Sequence, residues 1–226
     1  RKSTKNKGQR SHHYLRYSKK VPGHPKHQVS VAFKLKPIDG AAQQQSDIDL
    51  QAYEIASIKS GKVFVYFPAE AEVSGLRFHI NGPFIPELSR ASLKETKANT
   101  PLYEATAELA CEALEEIKKI GLLTKAVLEV LPNENDQLGE NYELIRLKLI
   151  HALNTKPLTP THDGGHARAN TLLRASVNLK NTLSKTDLGF LYATTRPNAD
   201  WATGTMNNTN ADRMLQSLNI KQLSNH

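Results

Sequence analysis

The 226 residues carry 30 Lys and Arg against 22 Asp and Glu, a formal charge of +8, and 38% of them are apolar, enough for one large or two small domains with a real core. No apolar run approaches the roughly 20 residues that span a bilayer, and the basic N-terminus lacks the apolar segment of a signal peptide, so a soluble cytoplasmic protein is the expectation. The single cysteine, Cys111, excludes an internal disulfide and a zinc finger, and its place in a helical pattern points to a buried, inert thiol.

The charge is unevenly placed. Eleven of the Lys and Arg residues precede Asp39, the first acidic residue, and the 19 that follow meet all 22 carboxylates, a balance of −3. The basic character therefore belongs to an arm. Residues 1 to 27 are polar with few apolar anchors and read as partly ordered. Lys5, Lys7, Arg10, Arg16, Lys19 and Lys20, together with Arg1, Lys2 and Lys26, are placed to meet nucleic-acid phosphates, with Tyr14 and Tyr17 as stacking surfaces among them. A solvated linker is the plainer alternative. The opening Arg1, where a start would be Met, suggests a processed product or, the favoured expectation, a fragment of a longer protein.

Val29, Val31, Phe33 and Leu35 alternate strictly and predict a strand with one apolar face, ended by Pro37. Gln43 to Asp49 has no periodicity and reads as a long loop. Val63 to Phe67 predicts a second strand and Leu76 to Ile80 a third. Thr100-Pro101 predicts a helix start with threonine as N-cap, and Leu102, Thr106, Leu109, Ala113, Ile117 and Ile120 recur at helical spacing up to Gly121, a residue suited to the left-handed conformation that ends helices. Ala126 to Leu131 is strand-like, Tyr142 to Leu153 a second amphipathic helix, and Leu158 to Thr161 a short strand. Ser176 caps a short helix through Leu183, and Asn210 caps another around Met214 and Leu215. Alternating strands and helices without an internal repeat give an α/β class, or α+β, divided into the arm (1–27), a main domain (28–155) and a smaller C-terminal α/β extension (156–226).

No complete active site is visible. The sequence holds no glycine-rich P-loop and no Gly-x-Ser-x-Gly elbow. Thr161-His162-Asp163-Gly164-Gly165-His166 sets two imidazoles and a carboxylate on a turn, but a metal site there lacks further ligands, and Asp-Gly-Gly is ordinary turn chemistry. His12, His13, His24 and His27 sit in the basic arm, and His79 fits a hydrogen-bonded structural role on a strand. Glu115 and Glu116 read as a solvated helix face. The most informative stretch is Gly75 to Arg90, where an alternating apolar segment runs into a polar turn. An arginine just beyond a strand end reaches a bound phosphate, which makes Arg90 the first functional candidate.

Gly61-Lys62-Val63-Phe64-Val65-Tyr66-Phe67-Pro68, then His79-Ile80-Asn81-Gly82, then Ser89-Arg90, resemble in type and spacing the segment that follows the nucleotide-binding domain in sacsin-type ATPases, relatives of the ninety-kilodalton heat-shock chaperones. Similarity in order and spacing continues through Pro160 to Gly165 and Asp212 to Ile220, so that it covers residues 29 to 220. In that superfamily the ATP site belongs to an upstream Bergerat-type (GHKL) domain, whose motifs do not occur in this sequence. The resemblance implies a middle, or transducer, region with a βαβ sheet and packed helices, shared with gyrase and MutL-type ATPases. It implies no cofactor in this chain, ATP and Mg in the parent protein, an upstream ATP-binding domain as partner, and a homodimer among its assemblies. It also implies that Arg90, with Asn81 and Ser89 beside the phosphate, matches the Asn-Ile-Ser-Arg turn that reaches the γ-phosphate in the chaperones. Seven residues, Gly82 to Leu88, separate Asn81 from Ser89 here, a departure from that contiguous turn. The competing reading is a nucleic-acid-binding module that uses the basic arm.

Overall fold

A computed structural model describes residues 12–38, 49–204 and 206–223. The fold is mixed α/β, as the sequence predicts. Its first half is a six-stranded sheet built from β1 (His13–Val21), β2 (His24–Pro37), β3 (Tyr53–Ala56), β4 (Val63–Val65), β5 (Phe67–Pro68) and β6 (His79–Asn81). The order along the sheet is β1-β2-β6-β4-β5, with β3 pairing the far end of β2; all pairs are antiparallel except β4 with β6. Helix α1 (Thr100–Lys119) lies across β1 and β2, followed by the single turn α2 (Lys125–Leu128) and by α3 (Glu143–Thr155), which packs on α1.

The alternation of β2 explains the layering. Val29, Val31, Phe33 and Leu35 are all buried against α1, whose inner stripe of Leu102, Ala105, Leu109, Ala113 and Ile117 includes small residues that let helix and sheet approach closely. Gly121 follows α1 with φ +77, the left-handed residue that the sequence pattern requires. Gly61 is needed for a different reason: its N–H donates to the Leu76 carbonyl at 2.7 Å, and a Cβ there would lie 2.0 Å from the Phe78 carbonyl oxygen.

Beyond α3 the chain forms a hairpin, β7 (Thr159–Pro160) with β8 (His166–Ala167), then β9 (Leu172–Arg174), α4 (Val177–Thr182), α5 (Lys185–Leu191), β10 (Asp200–Trp201), α6 (Asn210–Gln216) and β11 (Lys221–Gln222). β10, β9 and β11 make a three-stranded parallel sheet. Leu158, Leu172, Ala202, Met214 and Leu218 from this part join the same apolar core as the large sheet, while Leu173, Ala175, Leu188, Ala199 and Trp201 form a small core of their own.

Four expectations are corrected. The basic arm is not an arm over its second half: residues 13–37 form a long hairpin closed by Pro22 and Gly23, so the boundary between 27 and 28 falls inside β2. The strand-like stretch Ala126 to Leu131 is the helical turn α2 followed by tight turns, because Val127, Leu128, Val130 and Leu131 are buried together and an apolar run buried all round carries no period. The caps also move by one residue. Asn99, not Thr100, precedes α1, and Thr209, not Asn210, caps α6 by accepting from the Asp212 N–H. The second strand, finally, breaks at Tyr66, whose φ of +58 folds β5 back on β4. Most of the Gln43-to-Asp49 loop, like Lys5, Lys7 and Arg10, lies outside the described residues.

Candidate functional site

Arg90 stands on a hairpin whose stem is fixed from two sides. Lys94 N–H donates to the Ile85 carbonyl at 2.9 Å, Glu87 N–H to Ser92 at 2.9 Å, and Arg90 N–H to Glu87 at 2.9 Å. Asn99 is fully buried beneath the stem, where its Oδ1 accepts from Ile85 N–H at 2.8 Å and its Nδ2 donates to Lys94 O at 3.0 Å. Glu72 grips the other side, accepting from Leu93 N–H at 2.9 Å and from the Tyr142 hydroxyl at 2.7 Å. Burial, with the hydrogen bond to Glu72, raises the Tyr142 hydroxyl pKa, so it stays a donor. Sequence reasoning missed Asn99 and Glu72. Both look like ordinary polar residues until the tertiary fold brings the hairpin over them.

At the tip, Glu87, Leu88, Ser89 and Arg90 are exposed. Arg90 adopts φ +60, a conformation uncommon for a residue other than glycine, and its guanidinium carbon lies 5.8 Å from the centre of the Phe67 ring. Among the described residues no carboxylate lies within ion-pair distance of it. Arg77 in the same stretch is the opposite case. It pairs with Asp136 through two hydrogen bonds of 2.7 Å and also donates to the Glu129 and Leu131 carbonyls, all of its fork spent on the fold. Ser89 Oγ accepts from the Ala91 N–H at 3.3 Å. Asn81 does not join them by any hydrogen bond among the described residues; it lies on β6 and lines a groove on the side of the large sheet away from α1.

That groove, of about 390 Å³, is bounded by Tyr14, Arg16, Phe64, His79 and Asn81. His79 Nδ1 accepts from the Lys62 N–H at 2.9 Å, which places its proton on Nε2. Burial, and next the Lys62 charge, lower its pKa, so the ring is neutral at pH 7. The basic candidates of the N-terminal segment divide here. Arg16 and Lys20 point outward, but Lys19 faces α1 and binds Glu108 at 3.1 Å and Glu112 at 2.6 Å. Lys19 is thereby withdrawn from any phosphate on the outer face, and Tyr17, on the same inward side, packs against the core.

A second cleft, of about 560 Å³, lies in the C-terminal part beside Asp163, His166, Arg168, Lys185 and Asp200. Lys185 is bound to Asp200 at 2.5 Å, and the His166 Nε2 is 2.7 Å from the Leu123 carbonyl. The Asp163–Gly165 segment closes the β7–β8 hairpin through Thr161 N–H to Gly165 O at 2.8 Å. Nearby Lys180 is buried and donates to the Ala202 and Gly204 carbonyls; burial lowers its pKa to about 8, with the charges of Arg174 and Lys125 adding to the shift. Arg174 is itself buried and bound to Asp212. Burial pushes the Cys111 thiol up to about 11, which suppresses the thiolate. No described helix is long and apolar enough to cross a membrane.

The chain matches no protein-family model, no curated protein and no solved structure in the comparisons made with them.

Proposed function

We propose that this chain is a non-catalytic coupling region of a chaperone-like GHKL ATPase in the cytoplasm, and that it transmits the nucleotide state of an upstream ATP-binding domain into domain movement. The observation that carries the reading is the presentation of Arg90: an exposed guanidinium, without a carboxylate partner among the described residues, on a hairpin tip that Asn99 and Glu72 hold rigid. A planar fork of donors held in place suits the oxygens of a γ-phosphate as charge develops on them, and a rigid stem passes a displacement at the tip to the sheet and α1. ATP and Mg would be held by the upstream domain; this chain supplies the arginine, with Ser89 beside it in the same turn.

Asn81 is not part of that arrangement. It lies on the open sheet face, so the phosphate-proximal set reduces to Ser89 and Arg90. A homodimer would bring two such arginines into one assembly, each serving its own nucleotide.

The test is ATP turnover by the full-length protein. Arg90→Ala is expected to lower turnover by about 100-fold, as removal of a single charge-stabilising donor does, with Arg90→Lys recovering only part because it lacks the fork. Nucleotide-dependent closure, followed by small-angle scattering, should weaken in parallel. Unchanged turnover and unchanged closure in Arg90→Ala would overturn the reading.

A further inference from the structure

The six-stranded sheet has one face under α1, and no described helix lies over the other. The uncovered face combines three features. Its centre is aromatic: Tyr14 and His79 are 5.5 Å apart between ring centres at 50°, and Phe64 meets His79 at 5.8 Å and 77°. Its floor is small, because Ala32 pairs with both Arg16 and His79 across the strands and leaves the space above it open. Its charge is positive: Arg16, Lys20, Lys34 and Lys36 point outward from β1 and β2, and Glu54 of β3, 3.8 Å from Lys36, is the one carboxylate among the described outward-facing residues of β1 to β4 and β6.

We propose that this open face binds single-stranded nucleic acid. Unpaired bases stack on Tyr14 and Phe64, and the phosphates run along Arg16, Lys20 and Lys34. A β-sheet presents alternate side chains to one side, so aromatic and basic residues on neighbouring strands face one ligand together. Stacking on such a surface tolerates any base, since every base has a π-face, and cations that track the backbone supply the rest of the affinity. Arg16 is already held against the sheet surface by a 3.0 Å hydrogen bond to Ser30, which is itself bonded to Ser18 at 2.8 Å. The neutral His79 ring, with its proton on Nε2, and the side-chain amide of Asn81 supply donors and an acceptor at the groove where a base edge would lie. A duplex does not fit this chemistry, because its bases are stacked on each other and its outer surface offers no π-face. The face carries too few aliphatic side chains to serve as the core of a protein interface.

This inference is independent of Arg90 and of any ATPase. The experiment is fluorescence anisotropy of the 226-residue chain with a labelled mixed-sequence twelve-nucleotide single-stranded RNA, the equivalent DNA strand and the corresponding DNA duplex, over a range of salt. Both single strands are expected to bind more tightly than the duplex. Tyr14→Ala and Phe64→Ala should each weaken single-strand binding by about tenfold, and Arg16→Gln and Lys34→Gln should each reduce the slope of log K against log salt by about 0.7. Lys119→Gln, an equal charge loss on the solvent side of α1, is expected to change neither. Tyr14 is exposed at the sheet surface, so its truncation leaves folding intact and keeps the test decisive should Phe64→Ala prove less stable. No binding of either single strand at low salt would overturn the proposal. So would binding that survives both aromatic substitutions and is lost on neutralising Lys5, Lys7 and Arg10, which would assign it to the N-terminal residues, or a preference for the duplex.

Discussion

The two faces of the large sheet come from the same strands and have opposite fates. Successive side chains of β2 alternate between them: Val29, Val31, Phe33 and Leu35 go under α1, while Ala32, Lys34 and Lys36 lie on the other face, with Ser30 buried there beneath Arg16 and Ser18. In β1 the neighbours Lys19 and Lys20 separate in the same way, one to an acidic pair on the helix and one to the open side. The comparison teaches that a residue's role on this sheet follows the parity of its position more than its type. An apolar residue on the inner face is there for stability, whereas an aromatic or basic residue on the outer face does little for stability and is available to a ligand.

That contrast breaks most visibly at two phenylalanines. Phe33 is fully buried and packs on Phe78 at 4.9 Å, so Phe33→Ala is expected to cost about 3–5 kcal/mol of unfolding free energy. Phe64→Ala, on the other face of the same sheet, should cost about 1 kcal/mol in the same urea titration, as loss of a half-exposed side chain. Equal losses would mean that the outer face is covered in the folded protein.

The two arginines of the central stretch sharpen it further. Arg77 is mostly buried with its fork filled by Asp136 and two carbonyls, and Arg77→Ala leaves that carboxylate and those carbonyls without partners. A loss of about 3 kcal/mol is expected. Arg90→Ala removes an exposed side chain and should move stability by less than about 0.5 kcal/mol, so any effect of it on turnover reports function and not folding. Thermal denaturation of the two variants side by side distinguishes them.

The smallest difference expected is between the lysines. Lys19→Ala breaks a partly exposed pair of ion contacts and should cost about 0.5 kcal/mol, a loss that shrinks at high salt; Lys20→Ala should cost nothing measurable. The Glu112 contact and its companion to Glu108 raise the Lys19 pKa in the folded chain, so the stabilisation is present below the ordinary lysine pKa and is lost as pH rises through the folded value. A Lys19→Ala chain should therefore show a flatter stability profile on the alkaline side.

Much of the large sheet and of its covering helix was legible because their periodic signals are local. The alternation of Val29 to Leu35 and the stripe from Leu102 to Ile117 each assign an element and its buried side without reference to the rest of the chain. β1 escaped because its inner face holds His13, Leu15, Tyr17 and Lys19, half-polar residues that become buried only when a helix with matching carboxylates lies over them. The Pro22-Gly23 turn, with Gly23 at φ +74, was the overlooked local signal that the basic segment doubles back. The parallel sheet of β9, β10 and β11 left no mark, since strands of two or three residues are too short to show a period.

By itself the sequence determined the mixed α/β class, the inward face of β2, the long helix with its glycine stop, and an arginine-bearing turn after the third strand. Those follow from side-chain periodicity and from backbone conformations that few residue types adopt. The tertiary structure alone decided that Arg77 is spent and Arg90 presented, that Asn99 and Glu72 hold the hairpin, that Lys19 is withdrawn while Arg16 and Lys20 are offered, and that Tyr14, Phe64 and His79 share one open face. Each of those depends on which distant segment supplies the partner or leaves the space empty, and long-range contact is not written in any local pattern.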